Sequence, residues 1–371
     1  MLARSLLRGW WVLFFGCLLL LFWIGAMFSV SIHESFEYTR RFLEEPSNYF
    51  YFFEHIEKFI LWVVVCLIAY VTPWSWVKKS SFIIFWITFA LMIALFFIGD
   101  DFGKGASLWI KIAWNTIQPG EFFKVWMVFF LVSWLSRKKK VFDELQFYIG
   151  FAIIAGICAG IYFFLPDYGS LLIIGPVALI LFRFYGGKRY YILSTLLIGF
   201  FVVTLASAQS SYVKERIEYF LDPSSDPSAR WIGRQTTQSL VAVGWWGLIG
   251  KWYGKGLQKF WYIPEAQSDF IFAAFSEEIW FLGNSVLLTL YFLLARHVLK
   301  GLKWVRDPFD RGIVVWLISL IIMQMFVNVW VNIKLLPLTW VTLPFISHGW
   351  SALMVNMLQI LILHKIIHKV A

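Results

Sequence analysis

Ten long apolar runs divide this chain, and they constrain its fold more than any other feature. Most are close to the ~20 residues that an α-helix needs to cross the hydrocarbon core of a bilayer. Of the 371 residues, 60% are hydrophobic and only 15% are charged, which is more apolar surface than one soluble core can bury. The sequence therefore predicts an all-α integral membrane protein with about ten transmembrane helices. The runs are 9–32, 57–75, 81–99, 121–136, 147–165, 169–186, 190–208, 269–296, 312–333 and 350–368.

Basic residues lie at alternate ends of these runs, whereas the intervening loops are acidic or mixed. By the positive-inside rule the basic side is cytoplasmic, so both termini are predicted to be cytoplasmic. The first run follows Arg4 and Arg8, but it is longer than a signal-peptide core and no A-x-A-like site follows it, so we interpret it as a span. The net charge of +10 then reflects membrane orientation rather than binding of nucleic acid.

One outer connection is much longer than the others. Residues 209–268 are rich in Ser, Asp, Pro, Gly and Gln, and they join the seventh run to the eighth. A long loop of this kind usually carries function, although a disordered spacer is the alternative. Because no soluble domain or short repeat is recognisable, we expect a single polytopic membrane domain, residues 1–371, with this extracytoplasmic loop.

Ionisable residues at membrane depth are costly, and they indicate a functional site by default. Residues 118–124 (Gln-Pro-Gly-Glu-Phe-Phe-Lys) open the short fourth run, which is expected to recruit its flanks. Pro119 suits the first turn of a helix, and Glu121 and Lys124 share one helical face. A self-satisfied ion pair near the interface explains this pattern as well as a catalytic role does. Asp167 lies in an outer turn before a glycine, where a carboxylate also has purely local uses.

Residues 264–272 (Pro-Glu-Ala-Gln-Ser-Asp-Phe-Ile-Phe) end the long loop and enter the eighth run. Either Ser268 or Asp269 could be the N-cap of that helix. However, apolar residues follow Asp269 at once, so its carboxyl can be partly desolvated and its pKa raised, as a general base requires. Glu277 and Glu278 follow two turns into the helix, and they need partners if they are buried.

Residues 343–349 (Leu-Pro-Phe-Ile-Ser-His-Gly) place Ser347 and His348 before the last run. There is no nucleophile elbow and no Asp positioned to complete a serine triad, which excludes a serine hydrolase. The sequence also has no Walker loop, no dinucleotide-binding glycine motif and no H-E-x-x-H motif. We therefore expect no organic cofactor.

Taken in order, these segments resemble the SEDS family (shape, elongation, division and sporulation), the polytopic polymerases of the bacterial cell wall. The matches run from residue 105 to residue 356 in the order of the family, whose ten-span topology agrees. Gln258-Lys259 and Pro264-Glu265-Ala266 are more similar to the FtsW-like division branch than to the RodA-like elongation branch. The matching segments are 118–124, 166–169, 216–227, 235–244, 258–278, 324–328 and 343–347.

The resemblance implies transfer of a growing glycan from one undecaprenyl diphosphate carrier to the 4-hydroxyl of another lipid II, outside the bacterial cytoplasmic membrane. Asp269 is the expected catalytic base for that hydroxyl. The departing diphosphate needs positive charge, from Lys124 and Arg216 or from a divalent cation (Mg²⁺ or Mn²⁺) that Glu121 and Asp167 could help to hold. The family implies a class B penicillin-binding transpeptidase and other division or elongation proteins as partners, and no nucleic acid. The further substrate-binding candidates are Glu265, Gln238, Ser239 and Ser347.

Several positions depart from the family pattern. Gln267-Ser268 stands where His-Thr is usual, and Leu108 and Thr339 replace family cations, which bears on diphosphate binding. Five of the 22 tryptophans stand where the family has glycine, and Trp does not supply the positive φ or close backbone approach that Gly allows. We hypothesise that the source reads UGA as glycine, and that a chain carrying these tryptophans is inactive; aromatic enrichment at membrane interfaces is the alternative. The five are Trp246, Trp252, Trp280, Trp340 and Trp350.

Two other functions are compatible with many spans and intramembrane charges. A lipid flippase or transporter tends to have inverted repeats and broken helices at the bilayer midplane. Here the polar residues gather at the outer rim beside the long loop, which favours chemistry on a lipid headgroup. An inactive division scaffold is the second alternative, because of the lost cations and the tryptophan substitutions.

Overall fold

The computed structural model describes residues 2–369 apart from 43–44, 101–105, 113–114, 139–142, 210, 223–231, 245–249, 262 and 264–265. Ten long helices among the described residues correspond to the ten predicted spans. The short fourth run does recruit its flanks, because its helix begins at Pro119 and ends at Lys138. In chain order the long helices are α1 (Leu2–Val30), α3 (Phe50–Val71), α4 (Trp74–Ile98), α5 (Pro119–Lys138), α6 (Glu144–Phe164), α7 (Tyr168–Phe184), α8 (Arg189–Gln209), α12 (Ile271–Leu302), α13 (Pro308–Asn332) and α14 (Trp350–Lys369).

Over the described residues, six of these helices have the length and composition of a membrane span. They are α1, α4, α6, α12, α13 and α14. Two more, α7 and residues 189–202 of α8, are shorter apolar helices. The remaining two, α3 and α5, carry charged residues within their length, as Glu57 and Lys124 show. The chain is a multi-pass helical membrane protein.

The long connection contains three further helices in its described parts. We call the end of the bundle at which it lies the loop end. These helices are α9 (Ser211–Leu221), α10 (Ile232–Gly244) and α11 (Gln258–Trp261). A short helix, α2 (Ile32–Phe42), follows α1 at the same end. Between α4 and α5 lies an antiparallel pair of strands, β1 (Ile110–Ile112) and β2 (Asn115–Ile117), with Lys111 opposite Thr116.

Helix α13 lies at the centre of the bundle. It packs against α5, α7, α12 and α14. Its side chains are buried around most of its circumference, including Trp316, Leu317 and Ile321. A helix that is apolar all round belongs in an interior position, so the composition of α13 explains its place. Helix α1 packs against α12 and α14 on another side of the bundle.

At the end opposite the long loop, polar contacts join four helices. Lys78 of α4 lies 2.7 Å from an oxygen of Asp310 at the start of α13, and the indole of Trp74 donates to the same oxygen at 2.9 Å. Lys365 of α14 donates at 2.8 Å to the carbonyl oxygen of Tyr70, near the end of α3. These contacts fix the helix ends on that side, so the candidate site at the loop end is built on helices held at their far ends.

Candidate functional site

Asp269 lies at the junction between the long connection and α12, at the loop end. Helix α12 begins at Ile271, and its N-cap residue is Phe270, which makes no side-chain capping hydrogen bond. The alternative interpretation, in which Ser268 or Asp269 is the N-cap, is therefore wrong. The side chain of Asp269 is half-buried, while Phe270 beside it is fully buried. The carboxyl group thus lies at the rim of the apolar core.

Two asparagines of α13 hold the backbone at Asp269. The amide nitrogens of Asn328 and Asn332 each donate to the carbonyl oxygen of Asp269 at 2.9 Å. The amide oxygen of Asn332 also accepts at 3.1 Å from the N–H of Ala273, in the first helical turn, where backbone donors lack intrahelical partners. Asn332 was not predicted from the sequence, although Gln324, Asn328 and Asn332 follow one another at i,i+4 spacing and form a polar stripe on an apolar helix.

The segment before α14 holds the two preceding carbonyl groups. The hydroxyl of Ser347 donates to the carbonyl oxygen of Ser268 at 2.5 Å. The backbone N–H of His348 donates to the carbonyl oxygen of Gln267 at 2.7 Å. Because Ser347 is buried, its hydroxyl supports the backbone next to Asp269. Three successive carbonyl oxygens, at residues 267–269, therefore have fixed donors.

A group of charged residues, which we call the second cluster, lies at the start of α5, apart from Asp269. Glu121 and Lys124 form an ion pair of 2.6 Å between Oε1 and Nζ, and only 6% of Glu121 and 3% of Lys124 is exposed. The spacing predicted this pair, since residues three apart face the same side of a helix. The indole of Trp316 in α13 donates to the carbonyl oxygen of Lys124 at 3.0 Å, and Tyr162 donates to that of Gly120 at 2.8 Å. The pair is thus buried between α5, α6 and α13.

Asp167 is the N-cap residue of α7 and points toward the same cluster. Its carboxylate accepts from the backbone N–H of Ser170 at 3.0 Å and from the Ser170 hydroxyl at 2.7 Å. Burial raises the pKa of the Asp167 carboxyl above its ordinary value, whereas Lys124 and the bonds from Ser170 oppose that rise. The negative charge of Glu121 raises it further. The structure therefore brings three predicted residues into one cluster, in which Glu121 and Lys124 are buried and Asp167 is half-buried.

The segment between α13 and α14 connects the surroundings of Asp269 with the second cluster. The amide of Asn328, which holds Asp269, also donates to the carbonyl oxygen of Val341 at 2.8 Å. On its other side this segment packs against the turn of Asp167, since a Cβ on Gly169 would lie 2.8 Å from Val341 Cγ2. Only glycine allows that approach without displacing a neighbour. Asp269 and Asp167 therefore lie on two sides of one short segment.

The remaining predicted residues are placed less directly. The guanidinium of Arg216 donates to the carbonyl oxygen of Leu338 at 2.7 Å, in the connecting segment. Ser239 is fully buried, and its hydroxyl donates to a backbone oxygen of α13, that of Asn332, at 2.6 Å. Gln238 is half-buried on α10. Glu265 lies outside the described residues.

The two glutamates inside α12 have partners that were not identified from the sequence. Glu277 pairs with Lys251 at 3.0 Å, and Glu278 pairs with Lys259 at 2.6 Å. Both lysines come from the long connection, so the requirement that buried acids have partners is met. Two acids on an apolar helix, with basic residues shortly before them in the sequence, could have predicted these ion pairs.

The donor groups of the second cluster suit a hard divalent cation only in part. Among the described residues, no group of three or more His, Cys, Asp or Glu side chains could hold a metal ion. Mg²⁺ is commonly bound by one or two carboxylates together with phosphate oxygens of the substrate. Glu121 and Asp167 provide two carboxylates, so they fit a cation that a diphosphate would help to bind.

Two relatives have similar sequences over most of their length. The stage V sporulation protein E of Bacillus subtilis is 33% identical over 304 residues, which are 80% of this chain and 81% of that protein. A probable peptidoglycan glycosyltransferase FtsW of Thiomicrospira cyclica is 32% identical over 304 residues, which are 79% of this chain and 76% of that protein.

Solved structures share the fold. One is a chain of a peptidoglycan synthase complex that coordinates polymerization and crosslinking, with a TM-score of 0.76 at 19% identity, covering 96% of this chain and 97% of that one. The other is RodA of Thermus thermophilus, with a TM-score of 0.68 at 18% identity, covering 96% of each chain. The predicted ten-helix membrane fold is thereby confirmed. The family model for the FtsW, RodA and SpoVE cell cycle proteins matches residues 11–371. The predicted resemblance is correct, and the chain belongs to the FtsW/RodA/SpoVE family.

Proposed function

We propose that this chain is a peptidoglycan glycosyltransferase that polymerises lipid II into glycan strands. In the reaction, the 4-hydroxyl of one lipid II attacks the anomeric carbon of the growing chain on a second carrier. A new glycosidic C–O bond forms, the bond from that carbon to the diphosphate oxygen breaks, and undecaprenyl diphosphate departs. The relatives named as peptidoglycan glycosyltransferases support this assignment.

Asp269 is the residue that takes the proton from the acceptor hydroxyl. Its side chain is half-buried at the rim of the core, while its carbonyl oxygen is held by two asparagines. A general base works best when its position is fixed and its carboxylate is partly desolvated. The proposal rests on one observation: a half-buried carboxylate, whose backbone carbonyl is held by α13, lies across one short segment from the turn of Asp167.

The second cluster stabilises the departing diphosphate. Lys124 supplies a buried positive charge, although Glu121 neutralises it until an anionic group competes for the ammonium. Arg216 holds its guanidinium at the segment between the two clusters. A divalent cation bound by Glu121 and Asp167 would offset further negative charge on the diphosphate. Ser239 and Ser347 serve the site by holding its backbone.

An apolar cavity extends from the start of α5, near the second cluster, to Tyr70 and Lys365 at the end opposite the long loop. It has a volume of about 140 Å³, and it lies between α3, α4, α5 and α14. Phe122, next to Glu121, and Leu358 of α14 are among its lining residues. Ligand pockets are lined predominantly by apolar side chains. A short part of the carrier's apolar chain would enter this cavity while the diphosphate contacts the second cluster.

The arrangement of buried polar groups favours this reaction over transport. Along α5, the buried residues that follow Lys124 are apolar for three turns, among them Val128, Leu131 and Leu135. Along α13, buried residues between Asp310 and Gln324 are likewise apolar. A flippase would need polar groups along the path of the headgroup, whereas α5 and α13 carry theirs toward their ends. Helix α14 does bury Asn356 and Gln359 within its length. The site thus suits chemistry at one membrane face.

The charge pattern supports an assignment of that face. We place the protein in the bacterial cytoplasmic membrane with both termini in the cytoplasm, because the basic ends of the runs lie opposite the long loop. The loop end, with Asp269, then faces the extracytoplasmic side. The structural neighbour from a complex that couples polymerization to crosslinking supports a class B penicillin-binding transpeptidase as partner, within the division or elongation machinery.

Purified protein in liposomes with lipid II would separate the three candidate functions. We expect polymer formation that is lost with Asp269→Ala and retained with Glu218→Ala, a matched change of an exposed acid in the same connection. Transbilayer movement of lipid II without polymer would instead identify a flippase. Neither activity, in a folded protein that still binds its transpeptidase partner, would identify a scaffold.

A further inference from the structure

Adjacent glutamates on α12 bind two lysines from the long connection, at a place remote from the Glu121 cluster. Glu278 and Lys259 are both fully buried side chains, with 2.6 Å between Oε1 and Nζ. Exposed ion pairs contribute little, whereas a buried pair persists only when its remaining donors and acceptors are also satisfied. A fully buried pair between a loop and a membrane helix therefore calls for an explanation.

The hydrogen bonds around Lys259 are complete. Its ammonium donates to the hydroxyl of Ser29 at 2.7 Å and to the Ser29 carbonyl oxygen at 3.0 Å. It also reaches the carbonyl oxygen of Gly254 at 3.2 Å. The Ser29 hydroxyl lies 2.7 and 2.6 Å from the two carboxylate oxygens of Glu278. One lysine thus joins α1, α11 and α12.

Glu277 makes a parallel set of contacts with the same connection. One carboxylate oxygen pairs with Lys251 at 3.0 Å, and the other accepts from the backbone N–H of Gln258 at 2.8 Å. The carboxylate of Glu278 also accepts from the backbone N–H of Gly254 at 2.9 Å. The two acids therefore hold the loop at both ends of residues 251–259, against the helix that begins just after Asp269.

We propose that Lys259 and Glu278 are positioning residues that fix the chain leading to Asp269. The proposal rests on the role of Asp269 proposed above. Lys259 lies ten residues before Asp269, and the Asp269 carbonyl is itself held by α13. The Lys259 cluster (Lys259, Glu278 and Ser29) anchors one end of that segment, and the asparagines anchor the other. With both ends fixed on membrane helices, the carboxylate keeps its orientation toward the acceptor sugar.

Replacing Lys259 with methionine tests this proposal. Lys259→Met keeps the length of the side chain but removes every bond to Ser29, Gly254 and Glu278. We expect the kcat for lipid II polymerisation to fall at least ~10-fold, since misplacement by about 1 Å can cost up to ~100-fold. The KM for lipid II should change little. The thermal unfolding temperature should fall, because Glu278 is left buried without its partner, so kcat is calculated per folded protein. Lys188→Met, which removes an exposed ion pair of 2.5 Å at the other end, should leave kcat unchanged.

Two further variants cover the case in which Lys259→Met does not fold. Ser29→Ala removes one partner and leaves the ion pair, and Lys259→Arg keeps the charge; both should fold and show smaller losses of kcat at an unchanged KM. An unchanged kcat in folded Lys259→Met would overturn the proposal. The proposal would also be overturned if the rate fell only in proportion to the amount of folded protein, because the cluster would then be merely structural.

Asp269→Asn, measured in the same assay, separates this proposal from the one on which it rests. If Asp269→Asn is inactive and folded Lys259→Met is fully active, the base is correctly assigned and the positioning role is wrong. If Asp269→Asn keeps its activity, the proposed base is wrong. A positioning role is supported only when Asp269→Asn is inactive and Lys259→Met has a lower kcat with an unchanged KM.

Discussion

A single side-chain amide, that of Asn328, joins the two halves of the candidate site. Its nitrogen donates to the carbonyl oxygen of Asp269 at 2.9 Å and to that of Val341 at 2.8 Å. Val341 in turn packs on the turn that carries Asp167. Because a carboxylate of the same shape has no donors, aspartate could not replace this asparagine. At the scale of single residues, this one amide links the two halves of the site, and Asn332 adds a second bond to the Asp269 carbonyl.

Asn328→Asp should therefore destabilise the protein and reduce polymerisation. The variant sets a carboxyl group against two carbonyl oxygens, so we expect a loss of about 3 kcal/mol in the free energy of unfolding, measured in detergent. Asn284→Asp is the matched control, because that amide makes one bond, to Ser276 at 2.8 Å, away from the site. Equal losses of activity in both variants would contradict a special role for Asn328.

Trp252 has a backbone conformation that favours glycine. Its φ is +77°, in the left-handed region, and 68% of the residue is exposed. Side chains other than glycine are strained there. Trp252 is one of the five tryptophans at family glycine positions. Of the others, Trp246 and the side chain of Trp280 lie outside what the structure describes. The conformation at residue 252 agrees with the hypothesis of a recoded UGA codon, whereas Trp340 and Trp350 do not have a positive φ.

Trp252→Gly should stabilise the protein by about 1 kcal/mol, because it removes the strain of a positive φ. Trp330→Gly, inside α13, should instead lose about 1 kcal/mol, since glycine weakens helices. Thermal unfolding of both variants compares these effects. Destabilisation in both would contradict the strain at residue 252, and a UGG codon at the five positions would end the recoding hypothesis.

At the scale of helices, local spacing predicted some contacts and missed others. The Glu121–Lys124 pair follows from residues three apart on one helix, and Pro119 marked the start of α5. The partners of Glu277 and Glu278 could not be predicted, because they lie in another segment and in α1. Ser29 and Lys259 are 230 residues apart in sequence, and no periodic pattern relates them. Contacts within one helix are encoded locally, whereas contacts between elements depend on how the whole bundle packs.

The pair on α5 makes a prediction about charge. Glu121→Met leaves Lys124 buried without its partner, so we expect a loss of about 3–5 kcal/mol in the free energy of unfolding. The double variant Glu121→Met, Lys124→Met should recover most of that stability, because a buried pair can be replaced by apolar side chains. Its polymerisation activity should stay low. A stable and fully active double variant would remove the pair from the proposed function.

For the whole molecule, composition and charge predicted the fold well. The ten apolar runs correspond to ten long helices, and the basic residues predicted which ends lie together. The interior of the long connection was less predictable: its three described helices are short, and their apolar patterns are weak beside those of the spans. The largely apolar surface of α13 explains its central position, whereas the helices that pack against it could not be predicted from the sequence.

The orientation in the membrane can be tested with single cysteines in a cysteine-free background. Lys255→Cys and Glu218→Cys, at exposed positions of the loop end, should react with an impermeant maleimide added to intact cells whose outer barrier has been opened. Lys303→Cys, at an exposed position of the opposite end, should react only after the cytoplasmic membrane is lysed. The reverse pattern would place Asp269 in the cytoplasm and would contradict extracytoplasmic polymerisation.

The most direct test of the account measures the initial rate of lipid II polymerisation by Asp269→Asn. This change keeps the shape of the side chain and removes its basicity. We expect the rate to fall at least ~100-fold, the lower end for loss of a general base, while lipid II binding and thermal stability stay as in the unchanged chain. A rate within a few-fold of the unchanged chain would show that another group takes the proton from the acceptor sugar.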